Sequence, residues 1–438
     1  MHSNVINKKI LNPIFFSSIF FITTEVAGAP PDTVYVPPVG AKYTEIRSVD
    51  PAAPPAIIDI AGNLKNEKLF KLSDIGSSVR YIYLQEPPDT KFSTIREVKS
   101  DDKHIFISVG QGLFCYSIEG KYLYTLCDNQ FEEIQDANVM VGGILLFNID
   151  LFNGNLIYRT YNWPSEKERP KHAHLNIFDT KELDNKLFIN NQSVESKNTY
   201  PKPNYQRPIR SEMLSSIIMI NNQSIFDGGS YSYLTLHGDT ICKFSNFDRP
   251  FYAKTYRIDG KLMILKPYCD TIFRFAPPNR FVPAYVKQWG EYKPDMNKYT
   301  SDSDLEGKLV LKNWTETPRF IFIQYTEGRD YPLRRMAGKV NDHWAIYDKK
   351  AKILTNHKAS LISPLIRDNP IPPMLENDIE PIGMPFWPKG LTHKDEMFMV
   401  FTKEQLKAYI DTEKFDNKKL QPIYNNMVDG GFILMIVK

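Results

Sequence analysis

Three stretches carry residue types at spacings suited to chemistry. In "DSDLEG" the side chains of Asp302, Asp304 and Glu306 alternate ahead of Gly307, like the front of a calcium loop whose oxygens converge on one ion. The twelfth position of such a loop falls on Asn313 instead of a bidentate glutamate, and no flanking helices are expected. An acidic solvated loop is therefore preferred to a metal site. In "HAH", His172 and His174 would share one face of a strand within reach of a single zinc ion, but no third ligand can be named. Arginines are more suggestive. Arg207 and Arg210 lie beside Tyr205, and Arg329, Arg334 and Arg335 beside Tyr331, all in expected loops. Guanidinium and phenol groups together suit carboxylates or sugars, so Arg207, Arg210, Arg329, Arg334 and Tyr331 are the candidate ligand-binding residues.

Other chemistries find no support. There is no Gly-x-Ser-x-Gly and no His-Glu-x-x-His, and none of Cys115, Cys127, Cys242 or Cys269 has an assignable base. Adjacent carboxylates such as Asp101-Asp102 and Glu132-Glu133 would point to opposite faces of a strand, which argues against shared acid/base work. "GGSYSYL" lacks the lysine and spacing of a phosphate loop. A net charge of +3, with both signs mixed along 438 residues, gives no footprint for nucleic acid. No cofactor is expected.

The elements that would position such residues are strands. The chain holds 24 Tyr, 27 Phe and 31 Pro against 22 Gly, a balance that suits pleated, half-buried strands punctuated by turns. Five stretches read as hairpins of alternating apolar and polar residues: Gly112 to Leu126, His174 to Ile189, Asp239 to Tyr256, Asp270 to Gly290, and His343 to His357. Two of them open on Asp-Thr-Ile, where Asp can bond a turn backbone and Thr suits the first extended position. In the first hairpin Cys115 should face Tyr124, leaving Cys127 out of register for an easy disulfide, so buried free thiols are expected. Repeated antiparallel units of this kind suggest a propeller, though spacing alone does not choose the number of blades. "FTKEQLKAYID" carries a capping box at Thr402 and Gln405 and reads as a short helix. The closing "GGFILMIVK" is fit for a buried strand, with "SSVRYIYLQ" its natural partner in closing a ring.

The N-terminus reads as an export signal: Lys8 and Lys9, then "ILNPIFFSSIFFITT", then the small residues "VAGA". The apolar part falls short of the ~20 residues a spanning helix needs, so no transmembrane segment is expected in the mature chain. No cysteine near Gly28 or Ala29 supports a lipid anchor. The expected organisation is a signal peptide over residues 1–29, a proline-rich extended leader over 30–67 and a propeller over 68–438, soluble in the periplasm or outside the cell.

"LSDIGSSVRYIYLQ", "DTIFRF" with "FVPAYVKQWGEYK", "ETPRFIFIQY" followed by "AIYDKKAKIL", and "GGFILMIVK" resemble exported bacterial propeller proteins of unknown function. The resemblance runs through most of the chain after the leader. It implies an all-β, six-bladed β-propeller of four-stranded antiparallel blades, with a short helix near the C-terminus. It implies no catalytic residues, and this chain lacks the lipoprotein cysteine that many of the family carry. The expected function is a non-enzymatic binding or scaffold module in the cell envelope, holding a glycan, a peptide or a partner protein. The alternative is an extracytoplasmic hydrolase or lyase with its site at the channel mouth. A deep axial pocket converging three or more His, Asp, Glu or Arg side chains would favour the enzyme.

Overall fold

The computed structural model describes residues 53–87, 95–109, 112–128, 132–134, 139–141, 143–163, 173–181, 205–209, 217–221, 224–227, 232–235, 240–243, 254–265, 269–276, 280–295, 302–328, 342–358, 374–380, 383–412 and 419–438. Three strands come first: β1 (Ala56–Asp59), β2 (Glu67–Lys68) and β3 (Val79–Leu84). The first sheet follows, with β4 (Ile95–Ser100), β5 (His104–Val109), β6 (Gly112–Ser117) and β7 (Tyr122–Asp128). A two-stranded ribbon of β8 (Glu132–Ile134) and β9 (Val139–Val141) leads into the second sheet. That sheet holds β10 (Gly143–Phe152), β11 (Asn155–Trp163), β12 (Ala173–Asp179) and β13 (Tyr205–Ile209). The third comprises β14 (Ile217–Asn221), β15 (Ser224–Asp227), β16 (Ser232–Thr235) and β17 (Thr240–Lys243). The fourth holds β18 (Lys254–Ile258), β19 (Lys261–Leu265), β20 (Thr271–Ala276) and β21 (Arg280–Gln288). The fifth holds β22 (Leu309–Glu316), β23 (Phe320–Glu327), β24 (Asp342–Asp348) and β25 (Ile353–His357).

Five sheets are thus each wound from four consecutive strands. A further sheet is assembled from both ends of the chain: β26 (Gly390–Leu391), β27 (Met397–Thr402) and β28 (Phe432–Val437), with β3 as its outer strand. β28 pairs antiparallel with β3 from Phe432 opposite Leu84 to Val437 opposite Val79, the partnership the sequence predicts. The result is an all-β propeller of small, mainly antiparallel sheets. Between β27 and β28 lie α1 (Lys403–Thr412) and α2 (Leu420–Asn426). The capping box forms: the Thr402 amide donates to Gln405 Oε1 at 3.0 Å, and the Gln405 amide to Thr402 Oγ1 at 3.1 Å.

Two expectations need correction. The sheets are not uniformly four-stranded and antiparallel. β1 runs parallel to β21 and β2 parallel to β25, so the fourth and fifth sheets gain a fifth, outer strand from the proline-rich leader. Nor is Asp239 to Tyr256 a hairpin, because β17 closes the third sheet and β18 opens the fourth. The two Asp-Thr-Ile copies therefore start a fourth strand in one case and a third strand in the other. Asp-Thr suits the entry to any strand, wherever that strand lies in its sheet. The hairpins of β6 with β7, β20 with β21, and β24 with β25 do form, and Cys115 lies opposite Tyr124. Cys115 and Cys127 are buried thiols, and Cys269 is a half-buried one. The 174–189 stretch falls partly outside the described residues, and the export signal wholly so.

Burial of one strand face was expected, but the middle strands bury both. In β28, Phe432, Leu434 and Ile436 pack with Val98, Ile105 and Ile107 of the first sheet. The alternate residues Ile433, Met435 and Val437 pack with Phe320, Phe322 and Trp344 of the fifth. In β23, Ile321, Ile323 and Tyr325 turn instead to Met263, Ile272 and Trp289 of the fourth. A strand between two neighbouring sheets has no wet face, so it is a continuous apolar run.

Gly120, in the β6–β7 turn, has φ 90° and abuts β3: a Cβ there would lie 2.1 Å from the Tyr83 carbonyl oxygen. Gly260 has φ 70° with nothing within 4 Å of the same position. Gly260→Ala should cost about 1 kcal/mol of left-handed strain, and Gly120→Ala on the order of 3 kcal/mol, since β3 must also move. Urea unfolding checks this. Equal losses would refute the close contact between the first sheet and the closing strand.

Candidate functional site

The first strand of each sheet meets no further strand on its inner side. β4, β10, β14, β18, β22 and β26 instead line one axial cavity of about 980 Å³. Their sequences reflect this position: "IREVKS", "KTYRI" and "LVLKNWTE" carry charges that "FILMIV" of β28 lacks.

Several of these charges join neighbouring sheets. β4, β10, β14 and β22 each break register against the second strand of their sheet, at Ile95/Glu97, Leu146/Ile149, Met219/Asn221 and Leu311/Asn313. Such irregularities take backbone groups out of the ladder. Glu97 of the first sheet accepts the Ile149 amide of the second at 2.9 Å. Asp150 of the second, itself buried, accepts the Met219 amide of the third at 2.8 Å. Arg257 of the fourth bonds the Met219 carbonyl, sits 3.4 Å from Asp150 Oδ2 and lies over the Phe152 ring. Between the fourth and fifth sheets, buried Glu316 accepts Tyr256 Oη at 2.8 Å, Tyr285 Oη at 2.5 Å and Lys349 Nζ at 3.1 Å. Burial and the adjacent Glu316 carboxylate push the Tyr256 hydroxyl well up.

A second group is less compensated. Lys99 on β4, Lys254 at the start of β18 and Lys389 just before β26 all line the cavity. Lys254 Nζ donates to Asn313 Oδ1 and the Trp314 carbonyl, each at 3.2 Å. Water reaches Lys254, but the cavity walls displace bulk solvent around it and hold its ammonium below the usual lysine range. Glu97 opposes that shift, and Lys99 and Lys389 add to it. Lys389 is depressed likewise, by burial and then by Lys312. Burial raises the Glu97 carboxyl despite Lys99 and the Ile149 amide.

At the mouth, turns bring Ser100, Asp102 and His393 together. Ser100 Oγ is 3.1 Å from His393 Nδ1 and accepts the His393 amide at 3.2 Å, while His393 Nε2 is 3.0 Å from Asp102 Oδ1. Bonds from His393 and Lys394 hold the Asp102 carboxyl below its usual range. No motif announces this cluster: about 290 residues separate its two halves (291 between Asp102 and His393).

None of the candidate ligand-binding or metal-ligating residues singled out from sequence is among the described residues that line the cavity. The backbone of Arg207 is on β13, the strand of its sheet most distant from cavity-lining β10. Arg210, Arg329, Tyr331, Arg334, Arg335 and His172 lie outside the described residues, as does the side chain of His174. "DSDLEG" forms a one-turn helix over Asp302–Leu305, with Asp304 and Glu306 exposed. Among the described residues no group of three or more His, Cys, Asp or Glu side chains could hold a metal ion. One signal for the real lining was available, namely strands that mix Lys, Arg and Glu among β-branched residues where neighbouring strands are apolar.

The comparisons with known proteins concern the family and the fold. The chain belongs to the family described as Domain of unknown function DUF4933, whose model matches residues 38–412. The fold is similar to the crystal structure of a Bacteroides fragilis protein predicted to be exported. The two share 12% identity with a TM-score of 0.58, over 87% of this chain and 99% of that one. A Bacteroides caccae protein of unknown function matches at 11% identity and TM-score 0.34, over 61% of this chain and 83% of its own. No curated protein matches. Among the described residues no helix is long and apolar enough to cross a membrane.

The raised Glu97 carboxyl sets a pH dependence for this family member. From its ordinary value near 4.5 up to its raised value, the folded chain holds a proton that the unfolded chain has released, so stability falls as pH rises through that window. Glu97→Gln keeps an acceptor for the Ile149 amide and removes the ionisation. Urea unfolding should show the variant gaining stability relative to the parent as pH rises above the ordinary carboxylate range. A constant difference would show that Glu97 ionises without penalty.

Proposed function

We propose that the chain is an exported, non-enzymatic binding module whose ligand occupies the axial cavity. In this reading the sheet shared by the chain ends counts as a sixth blade. The observation that carries the proposal is the use to which three of the cavity's acidic groups are put. Asp150, Glu316 and Glu97 all bond neighbouring sheets. Asp150 is further matched by Arg257, and Glu316 by Lys349 and two tyrosines. Carboxylates do converge on the axis, as an enzyme would require, but general acid/base work needs a group within reach of a substrate proton. These groups face main chain and each other. A walled, largely preformed cavity with fixed polar groups suits recognition. Export to the periplasm or beyond is supported by the charged and apolar N-terminus and by the likeness to a Bacteroides protein predicted to be exported. A glycan, a peptide or a projecting segment of an envelope protein are the ligand classes for such a cavity.

A second reading has one observation in its favour. Ser100, His393 and Asp102 are spaced like a hydrolytic triad, which would place a hydrolase at the mouth. The exposures run the wrong way. Triads hold the acid buried and offer the hydroxyl to substrate, whereas here Ser100 is 6% exposed and the Asp102 side chain 80%. The cluster reads better as a clamp between the first sheet and the one closed by the chain ends.

A thermal-shift screen of oligosaccharides and peptides, with each hit incubated and re-analysed by chromatography, tests both readings. The expected result is a ligand that raises the melting temperature, is recovered unchanged and binds Ser100→Ala as well as the parent. Turnover abolished by Ser100→Ala, or a fluorophosphonate adduct on Ser100, would replace the binding module with the hydrolase.

A further inference from the structure

Resting on that reading of the cavity, we propose that Lys99, Lys254 and Lys389 form an anion site that takes a carboxylate, sulfate or phosphate group of the ligand. The three lysines come from the first sheet, the fourth sheet and the residue before β26 in the one closed by the chain ends, and all line one cavity. Their environment differs from that of Arg257, Asp150 and Glu316. Arg257 has Asp150, and Glu316 has Lys349, within ion-pair distance. Among the described residues no carboxylate stands within that distance of Lys99, Lys254 or Lys389.

The acceptors that position Lys254 are neutral, an amide oxygen and a main-chain carbonyl. An ammonium has three donors, and these two contacts leave the third for the cavity. Lys99 and Lys254 both act on the Glu97 carboxylate, which is occupied by the Ile149 amide. Lys254 thus has two lysines and one carboxylate acting on it, so with its own ammonium its immediate surroundings are net positive. Mutual repulsion and burial already depress Lys254, so an anion bridging the three would relieve both. Hydrogen bonds to charged groups inside such a site are the strong ones. The sites that join sheets explain Arg257, Asp150 and Glu316. No ion pair among the described residues explains why these three lysines line the same cavity.

Isothermal titration and thermal shift at constant ionic strength test this with four probes: inorganic phosphate, inorganic sulfate, glucuronate and neutral glucose. At least one of the three anions should bind and raise the melting temperature, and glucose should not. Glucuronate alone would indicate a sugar carboxylate as the source; phosphate or sulfate would indicate an ester. Each single change Lys99→Met, Lys254→Met or Lys389→Met should weaken the anion roughly tenfold, and the triple change should abolish it. Lys99→Arg keeps the charge and should keep binding, which guards against a fold defect in Lys99→Met. An anion effect that survives the triple change, or no effect from any anion beyond chloride, overturns the site. A neutral saccharide or peptide that binds parent and triple variant equally would overturn the anion site and leave the binding module standing. The absence of any cavity ligand in the wider screen would remove both.

Discussion

One strand pairing closes the molecule: β28 against β3. β28 belongs to two cores at once, with alternate side chains directed to the first and fifth sheets. All of its residues are buried. Burying a large apolar side chain contributes about 1.5–3 kcal/mol, so the strand as a whole outweighs the polar contacts at its edges. The exposed Arg80–Glu396 bridge at 2.9 Å, for example, belongs to a class worth about 0–1 kcal/mol. Hydrophobic burial therefore holds the ends together, and the main-chain ladder sets which residues face which neighbour. A shift of one residue would send Phe432, Leu434 and Ile436 to the wrong core.

Closure constrains the axis in turn. Around it the first strands come near one another without a shared ladder, so any connection there must use side chains. The register breaks in β10 and β14 supply the backbone groups, and Glu97, Asp150 and Arg257 supply the partners. Removing one partner from such a buried set leaves an uncompensated charge, which costs far more than the set contributes when whole. The belt is therefore better regarded as fixing sheet positions than as adding net stability.

Much of this frame was legible in the residues. The "GGFILMIVK" run and its partner "SSVRYIYLQ", the Thr402 and Gln405 capping box, and the Gly112 to Leu126 hairpin each depend on local pattern or on one strong pairing, which sequence reports well. Asp239 to Tyr256 misled because alternation looks the same on either side of a sheet boundary, and only tertiary packing distinguishes a turn within a sheet from a crossing between two. The leader misled for a related reason. Its prolines read as extended chain, but an extended segment such as "AIID" can still add a parallel strand to an open edge. The cavity was least legible. Its residues come from six separated strands and the turns beside them, and no spacing rule connects Lys99 with Lys254 or Ser100 with His393.

The same geometry explains why an interaction surface should lie on the axis. Side chains on the middle strands are fixed by packing against two neighbours, and each must be apolar or fully bonded. On the first strands the inner face has no such neighbour, so charge can be placed there at lower cost. Two arrangements of charge result. One is self-sufficient, as in Arg257 with Asp150 or Glu316 with Lys349, and its groups hold one another whether or not anything else is bound. The other is incomplete, as in Lys99, Lys254 and Lys389, where repulsion persists until something outside the chain supplies the opposite charge. A propeller that required the axis only for closure would be served by the first arrangement alone. The second has a physical rationale only if the cavity is sometimes occupied.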